Sequence, residues 1–245
     1  MKRSEINAIM RKALGFLAEH KFLLPPFAHW SLPDWRTKGP ECREIVEAQL
    51  GWDITDFGCG DFSKIGLFLF TLRNGTLAEL KKVQGKVYAE KILIVEPGQI
   101  TPTHFHFRKM EDIINRGGGD LVIRLWNSTP DNGLAQTPVT LKRDGVEQTV
   151  PAGGTIVLAP GDSVCLPQRL YHRFWGAEDK GTVLVGEVSR VNDDQVDNHF
   201  HEPVGRFPRI EEDELPLHPL YNDYAHYYRH AAIRSGAGCE DRPLP

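Results

Sequence analysis

The segment His104-Phe105-His106-Phe107-Arg108-Lys109-Met110-Glu111 sets the tightest limit on what this chain can fold into. Side chains two apart on a strand share a face, so one extended strand presents both imidazoles together, and the turn after it can bring the carboxylate to the same place. Glycines bracket the segment, with Gly98 before and Gly118 after, in the spacing G-x5-H-x-H-x4-E-x6-G. Much later, Gly161-x5-Pro167-x4-His172 can swing a third imidazole onto the same point. Three imidazoles and one carboxylate suit a divalent first-row metal and leave two coordination positions for a substrate, which is an arrangement for chemistry more than for bracing a fold.

An H-x-H pair alone carries little weight, because the 10 histidines among 245 residues give about 0.4 such pairs by accident. The chain contains a second pair, His199-Phe200-His201, followed at once by Glu202 in a polar stretch without flanking glycines, and we read that pair as non-ligating. The first pair differs because independent signals coincide there: a strand-like approach over Ile92-Leu93-Ile94-Val95, a turn at Pro97-Gly98, the carboxylate five residues past His106, and Gly117-Gly118-Gly119.

The surrounding texture is that of a β protein. With 23 glycines and 17 prolines, many turns and short strands are expected, and from Lys64 onward eight to ten strands separated by turns fit a barrel or a double-sheet jelly roll. They cover Gly66 to Leu72, Val87 to Glu96, Gln99 to Phe107, Leu121 to Trp126, the hairpin Val139 to Pro151 about Asp144-Gly145, Thr155 to Leu158, Ser163 to Leu166, Tyr171 to Trp175 and Thr182 to Val191. Before them, Ser4 caps a helix with apolar positions at Ile6, Ile9, Met10, Ala13, Leu14 and Leu17, ending near Lys21. A short helix follows around Cys42 to Leu50, and Phe27, Trp30 and Trp35 are expected to pack on the outside of the barrel or to roof its mouth. The expected fold is therefore all-β dominated, with a helical extension over 1–60, a barrel over 61–224 and a tail over 225–245.

A net charge of −4 gives no basic footprint, so nucleic acid is not an expected partner. The longest apolar run, Ile65 to Leu72, is too short to cross a bilayer, and the charged N-terminus lacks the apolar core of a signal peptide, so the cytoplasm is the expected location and no membrane is involved. Cys42, Cys59, Cys165 and Cys239 form no C-x-x-C pair, which suits reduced thiols.

The two histidine blocks resemble the first and second conserved motifs of the cupin superfamily, a small antiparallel barrel with a metal at its mouth. The second block departs from that pattern, with Arg169 where a glycine is usual and Gly176 where an asparagine is usual. By this resemblance His104, His106, Glu111 and His172 are the metal ligands, a single jelly-roll barrel is implied by the single copy of each block, and a homodimer is the implied assembly. The longer runs Glu90 to Pro102, Lys109 to Gly119 and Glu187 to Asp194, with Gly205-Arg206-Phe207-Pro208, are similar to the D-lyxose isomerase family of cupins over about residues 1 to 224. That likeness implies a Mn²⁺-dependent enzyme acting on a monosaccharide, interconverting D-lyxose with D-xylulose and D-mannose with D-fructose; Zn²⁺, Co²⁺, Fe²⁺ and Ni²⁺ also suit the ligand set.

Such a reaction needs a base and a proton donor beside the sugar's C1 and C2. Glu187 or Glu202 is the expected base and Lys109 or Lys91 the expected donor, because these charges fall where a barrel interior is ordinarily apolar or where a lid can close; Arg206 and Asp194 are the expected sugar contacts. Alternation leaves open which face of the strand carries Glu187. Two other readings of the same ligands are an Fe²⁺ cupin dioxygenase and a non-catalytic sugar-binding barrel.

Overall fold

One face of the first helix, α1 (Arg3–Glu19), collects Ile6, Met10, Ala13 and Leu17 at helical spacing, and that face is buried. The helix begins at Lys2 instead of the expected cap Ser4. The Lys2 amide donates to Glu5 Oε2 at 2.7 Å, while the Ser4 amide and hydroxyl both go to the distant Asp213 carboxylate, at 2.9 and 2.7 Å. A tertiary partner has displaced the local cap.

The computed structural model describes residues 1–191, 193–194, 196–206 and 209–230. Asn192, Phe207, Pro208, Cys239 and the tail from 231 onward, all of which figure in the sequence reading, lie outside the described residues. The strands are β1 (Gly51–Thr55), β2 (Leu67–Arg73), β3 (Tyr88–Val95), β4 (Thr101–His106), β5 (Glu111–Gly118), β6 (Leu121–Asn127), β7 (Val139–Arg143), β8 (Val146–Val150), β9 (Thr155–Leu158), β10 (Ser163–Leu166), β11 (Leu170–Gly176), β12 (Val183–Arg190) and β13 (Asn198–Phe200). They form an eight-stranded sheet in the order β1-β2-β3-β12-β5-β10-β7-β8 and a five-stranded sheet in the order β13-β4-β11-β6-β9, with every named strand pair antiparallel.

The two sheets share one core. Leu69, Leu93, Val95, Ile113, Val183 and Val185 of the large sheet meet Leu121, Ile123, Leu125, Leu170 and Phe174 of the small one. On the other side of the large sheet, α1 packs on Trp52, Phe68, Phe70, Ile92, Ile94 and Leu184. This sandwiching fixes the parity that the sequence leaves open: Ile92 and Ile94 turn to the helix and Leu93 and Val95 inward, so Lys91 also faces inward. By the same alternation on β12, Leu184 faces the helix and Glu187 faces inward with Val183 and Val185.

Three expectations need correction here. The extension over 1–60 is not wholly helical, because β1 pairs with β2 along its whole length. All five of its residues are buried, by the helix on one side and polypeptide on the other, so no apolar-polar alternation announces the strand. Glu111 to Gly118, read as a turn and its sequel, is a strand in the large sheet. The segment after 224 does not begin as a tail: Tyr224 and Tyr228 are buried in an aromatic cluster with Trp35 and Tyr221. Of the two placements open to Phe27, Trp30 and Trp35, they take the one outside the barrel: Phe27 stacks on Phe70, Trp30 meets Trp35 edge-on, and Trp35 lies tilted against Tyr224. Cys42, Cys59 and Cys165 are free thiols, and among the described residues no helix is long and apolar enough to cross a membrane.

The C-terminal segment ties the helix down. Arg3, 1% exposed, donates to Asp223 at 2.9 Å and to Glu212 at 2.7 and 2.8 Å. Removing one partner of a buried ion pair leaves the other desolvated and alone, whereas the half-exposed Glu212 can turn to water. Arg3→Ala is therefore expected to destabilise the fold by about 3 kcal/mol, a loss of roughly 10 °C in melting temperature at this chain length. Thermal unfolding followed by circular dichroism checks this, and an unshifted melting curve would show that α1 is held by apolar packing alone.

Candidate active site

At one end of the space between the sheets, the inward positions change from apolar to ionisable. His104 and His106 project from the same face of β4, and His172 sits opposite His104 in the β4–β11 register. Glu111, at the start of β5, reaches in from the other sheet, with Oε1 3.2 Å from His172 Nε2 and 3.5 Å from His106 Nε2. One ring nitrogen from each of the three histidines lies within 4.8 Å of the others.

Hydrogen bonds orient two of the rings. His104 Nδ1 lies 2.8 Å from the Pro102 carbonyl and His172 Nδ1 lies 3.1 Å from the Leu170 carbonyl, so Nδ1 carries the proton and Nε2 keeps a lone pair. Burial pushes His104 well below the ordinary imidazole range, helped by the two neighbouring imidazoles, and burial takes His172 down to about 4. Both are neutral at pH 7, as ligation requires. Burial would raise Glu111, yet the Lys109 ammonium and His106 outweigh it and hold that carboxyl well below its usual range.

Behind the ligands runs a chain of buried charges. Lys109, 2% exposed, lies 2.5 Å from Glu111 and 2.9 Å from Glu187. Lys91, the cross-strand partner of Glu187, lies 3.4 Å from it and 3.2 Å from Asp194. Arg206 lies 3.9 Å from Asp194 and is paired with Asp53. Burial would raise Asp194, but Lys91, Lys109 and Arg206 hold it far down; burial would lower Lys109, but Glu111 and Glu187 hold it up.

The donor set fits a divalent cation. Adjacent ligands about 2.1 Å from one ion stand about 3.0 to 3.4 Å apart, close to the 3.2 and 3.5 Å that separate Glu111 Oε1 from His172 and His106. The charge chain holds four carboxylates against three cationic side chains, which leaves the site negative and favours a cation.

Lys91, Lys109, Glu187, Asp194 and Arg206 thus line the same cavity as the four expected ligands. Glu202 does not: it is exposed and outside the cavity, because β13 ends at Phe200 and the chain has turned away to solvent by residue 202. In β13 the register sets Asn198 opposite His106 and Phe200 opposite His104, so these two face the cavity. His199 instead stacks outside on Phe105 at 4.8 Å, as a non-ligating residue does. Sequence reading missed Asn198, Phe200 and Phe57 as cavity residues; alternation through His199 was the one available signal. Arg169 adopts φ 61°, the conformation its family position gives to glycine, and its side chain bonds Asn132 Oδ1 at 2.8 Å. The space left between these side chains is about 40 Å³, room for roughly three waters.

Among solved structures, the fold is similar to an L-ribose isomerase of Cellulomonas parahominis solved with L-ribose, with TM-score 0.55 and 18% identity over 86% of this chain and 98% of that one. An L-ribose isomerase of Acinetobacter sp. DL28, also with L-ribose, gives TM-score 0.57 at 15% identity over the same shares. At such identities the likeness is one of fold. Sequence carries further. The chain is 49% identical over 228 residues to a D-lyxose/D-mannose isomerase of Serratia proteamaculans, covering 93% of this chain and 99% of that protein. It is 47% identical to a D-lyxose/D-mannose isomerase of Escherichia coli O157:H7 over 93% of this chain and all of that one. The D-lyxose isomerase family model matches residues 1–224, and on these grounds the chain belongs to the D-lyxose isomerase family and is an aldose–ketose sugar isomerase.

Proposed function

We propose that the protein interconverts D-lyxose with D-xylulose, and D-mannose with D-fructose, using a divalent metal held by His104, His106, His172 and Glu111, with Mn²⁺ preferred. The observation that carries the reading is the convergence of the neutral His104 and His172, with His106 and an ionised carboxylate, beside a buried Lys–Glu–Lys chain in a chain so similar to named D-lyxose/D-mannose isomerases. When bound, the metal polarises the sugar's O1 and O2 and acidifies the C2 hydrogen.

The chain's own residues move the protons. Glu187, inside the cavity and 2.9 Å from Lys109, takes the proton from C2 as the C1–C2 double bond forms, and Lys109 protonates O1, which gives a cis-enediol. Lys109 then accepts the O2 proton while Glu187 returns its proton to C1, and the ketose results. Lys91 holds the Glu187 carboxylate from behind at 3.4 Å, and Asp194 and Arg206 receive hydroxyls of the sugar. Glu202 has no part in this scheme. By likeness to the family the reading extends to a cytoplasmic homodimer.

Incubating the protein with Mn²⁺ and D-lyxose and assaying ketose tests the assignment, and no ketose from the Mn²⁺-loaded protein would end it. Glu187→Gln is expected to lower kcat by a factor of roughly 10² to 10⁴ while metal content is kept. Glu111→Ala or His106→Ala is expected to lose bound metal and turnover together, and a metal-free variant with full activity would refute the metal scheme. During turnover in tritiated water, label is expected at C1 of the ketose in proportion to exchange of the proton on Glu187 before its return; no label at all over many turnovers would replace the enediol route with a hydride shift.

A further inference from the structure

Asp53 is a carboxylate set between Trp52 and Ile54, 3% exposed at the centre of β1. A buried charge of this kind costs several kcal/mol unless it is paired. It is paired, through both oxygens, with the two terminal nitrogens of Arg206, a fork geometry that fixes the guanidinium plane. Arg206 lines the cavity and Asp53 does not. The same stretch of chain grips the Arg206 backbone independently: Thr55 Oγ1 donates to the Arg206 carbonyl at 2.9 Å, and the Gly205 amide donates to the Phe57 carbonyl at 3.0 Å.

Counted along the ion pairs from the imidazoles, Arg206 comes last, after Glu111, Lys109, Glu187, Lys91 and Asp194. It lines the cavity beside Asp194, at 3.9 Å, and is no part of the ligand set. We propose that Asp53 is a positioning residue, which through Arg206 sets the affinity for the sugar's hydroxyls without touching the sugar. β1 is then more than an edge strand under α1: it is the platform from which residues 205 and 206 are aimed into the cavity. This inference rests on the sugar-isomerase reading of the same cavity.

The test uses the full chain loaded with Mn²⁺ and measures KM and kcat for D-lyxose together with calorimetric binding of D-arabinitol, the alditol obtained by reducing D-lyxose, which cannot isomerise. Losing a charge-assisted pair that aims one donor, Asp53→Asn is expected to raise both KM and the alditol dissociation constant about tenfold, with a smaller change in kcat. In an Arg206→Ala background the same substitution is expected to add nothing further. Thr55→Val, which keeps the side-chain shape, is expected to raise KM about threefold and covers the case in which Asp53→Asn fails to fold. Unchanged KM and alditol binding in both single variants would overturn the proposal, as would a full additive effect of Asp53→Asn in the Arg206→Ala background. Should the wild type bind D-arabinitol and yet leave D-lyxose unchanged, the isomerase reading falls while alditol binding by the variants still decides the role of Asp53.

Discussion

Lys109 stands between two carboxylates inside the protein, and the site is organised around that position. Its ammonium is 2.5 Å from Glu111, which touches two imidazoles, and 2.9 Å from Glu187, which is held from behind by Lys91. In a medium of low dielectric each of these charges is costly alone and tolerable only in sequence with its neighbours. The arrangement explains why Glu111 stays ionised in spite of its burial, and so remains a ligand instead of a neutral acid. It also keeps Glu187 next to a proton donor, the pairing that a proton shuttle between adjacent carbons needs.

Much of this was legible in the sequence because strand periodicity and chemistry pointed the same way. The shared face of His104 and His106, and the strands β7, β9 and β10, follow from a period of two and from turn residues at their ends. The inward face of Lys91 and Glu187 was not legible, since alternation gives two faces and says nothing about which is covered by α1. Two other failures share one cause. β1 is buried on both sides, so its pattern lacks contrast, and β5 carries Glu111 and Asn115 on its inward face, so its pattern has the wrong sign for a core strand. Glu202, read as a lid over the mouth, lies exposed outside the cavity, because residues past the end of a strand lose the alternation that would keep them on one face.

The chain termini contribute to the site from a distance. α1 covers the face of the large sheet opposite the site, and the segment after residue 209 fastens α1 through Arg3, Ser4 and Asn7. Without that cover, Ile92, Ile94 and Leu184 would face water as Leu93 and Val185 face the core, and neither side of β3 or β12 would be preferred. The helical extension is thus part of what decides that Lys91 and Glu187 point at the ligands.

The parity also has to be kept across the sheet, and here the glycines after Glu111 have their use. On β12 the inward set is Val183, Val185 and Glu187, while on β5 it is Glu111, Ile113 and Asn115, and the register between the strands slips between Leu184 and Val185. Arg116 is the extra residue of that bulge, and it passes outward over Gly186, where a side chain would crowd it. Gly117 and Gly118 take φ 153° and 82°, which other residues adopt only under strain, and a side chain at 118 would also strike the Thr182 carbonyl. Asn115 locks the turn, donating to the Gly119 and Leu158 carbonyls at 2.8 Å each and accepting from the Gly117 amide at 3.0 Å. From Val185 to Ser189 the ladder is straight, so Glu187 lies opposite Ile113 and Ser189 opposite Glu111, and the two strands keep their inward positions in step as far as Asn115. Beyond Asn115 the bulge takes up one residue of β5, so Leu184 and Val183 meet Gly117 and Gly118, which put no side chain on either face and leave the burial of β12 undisturbed.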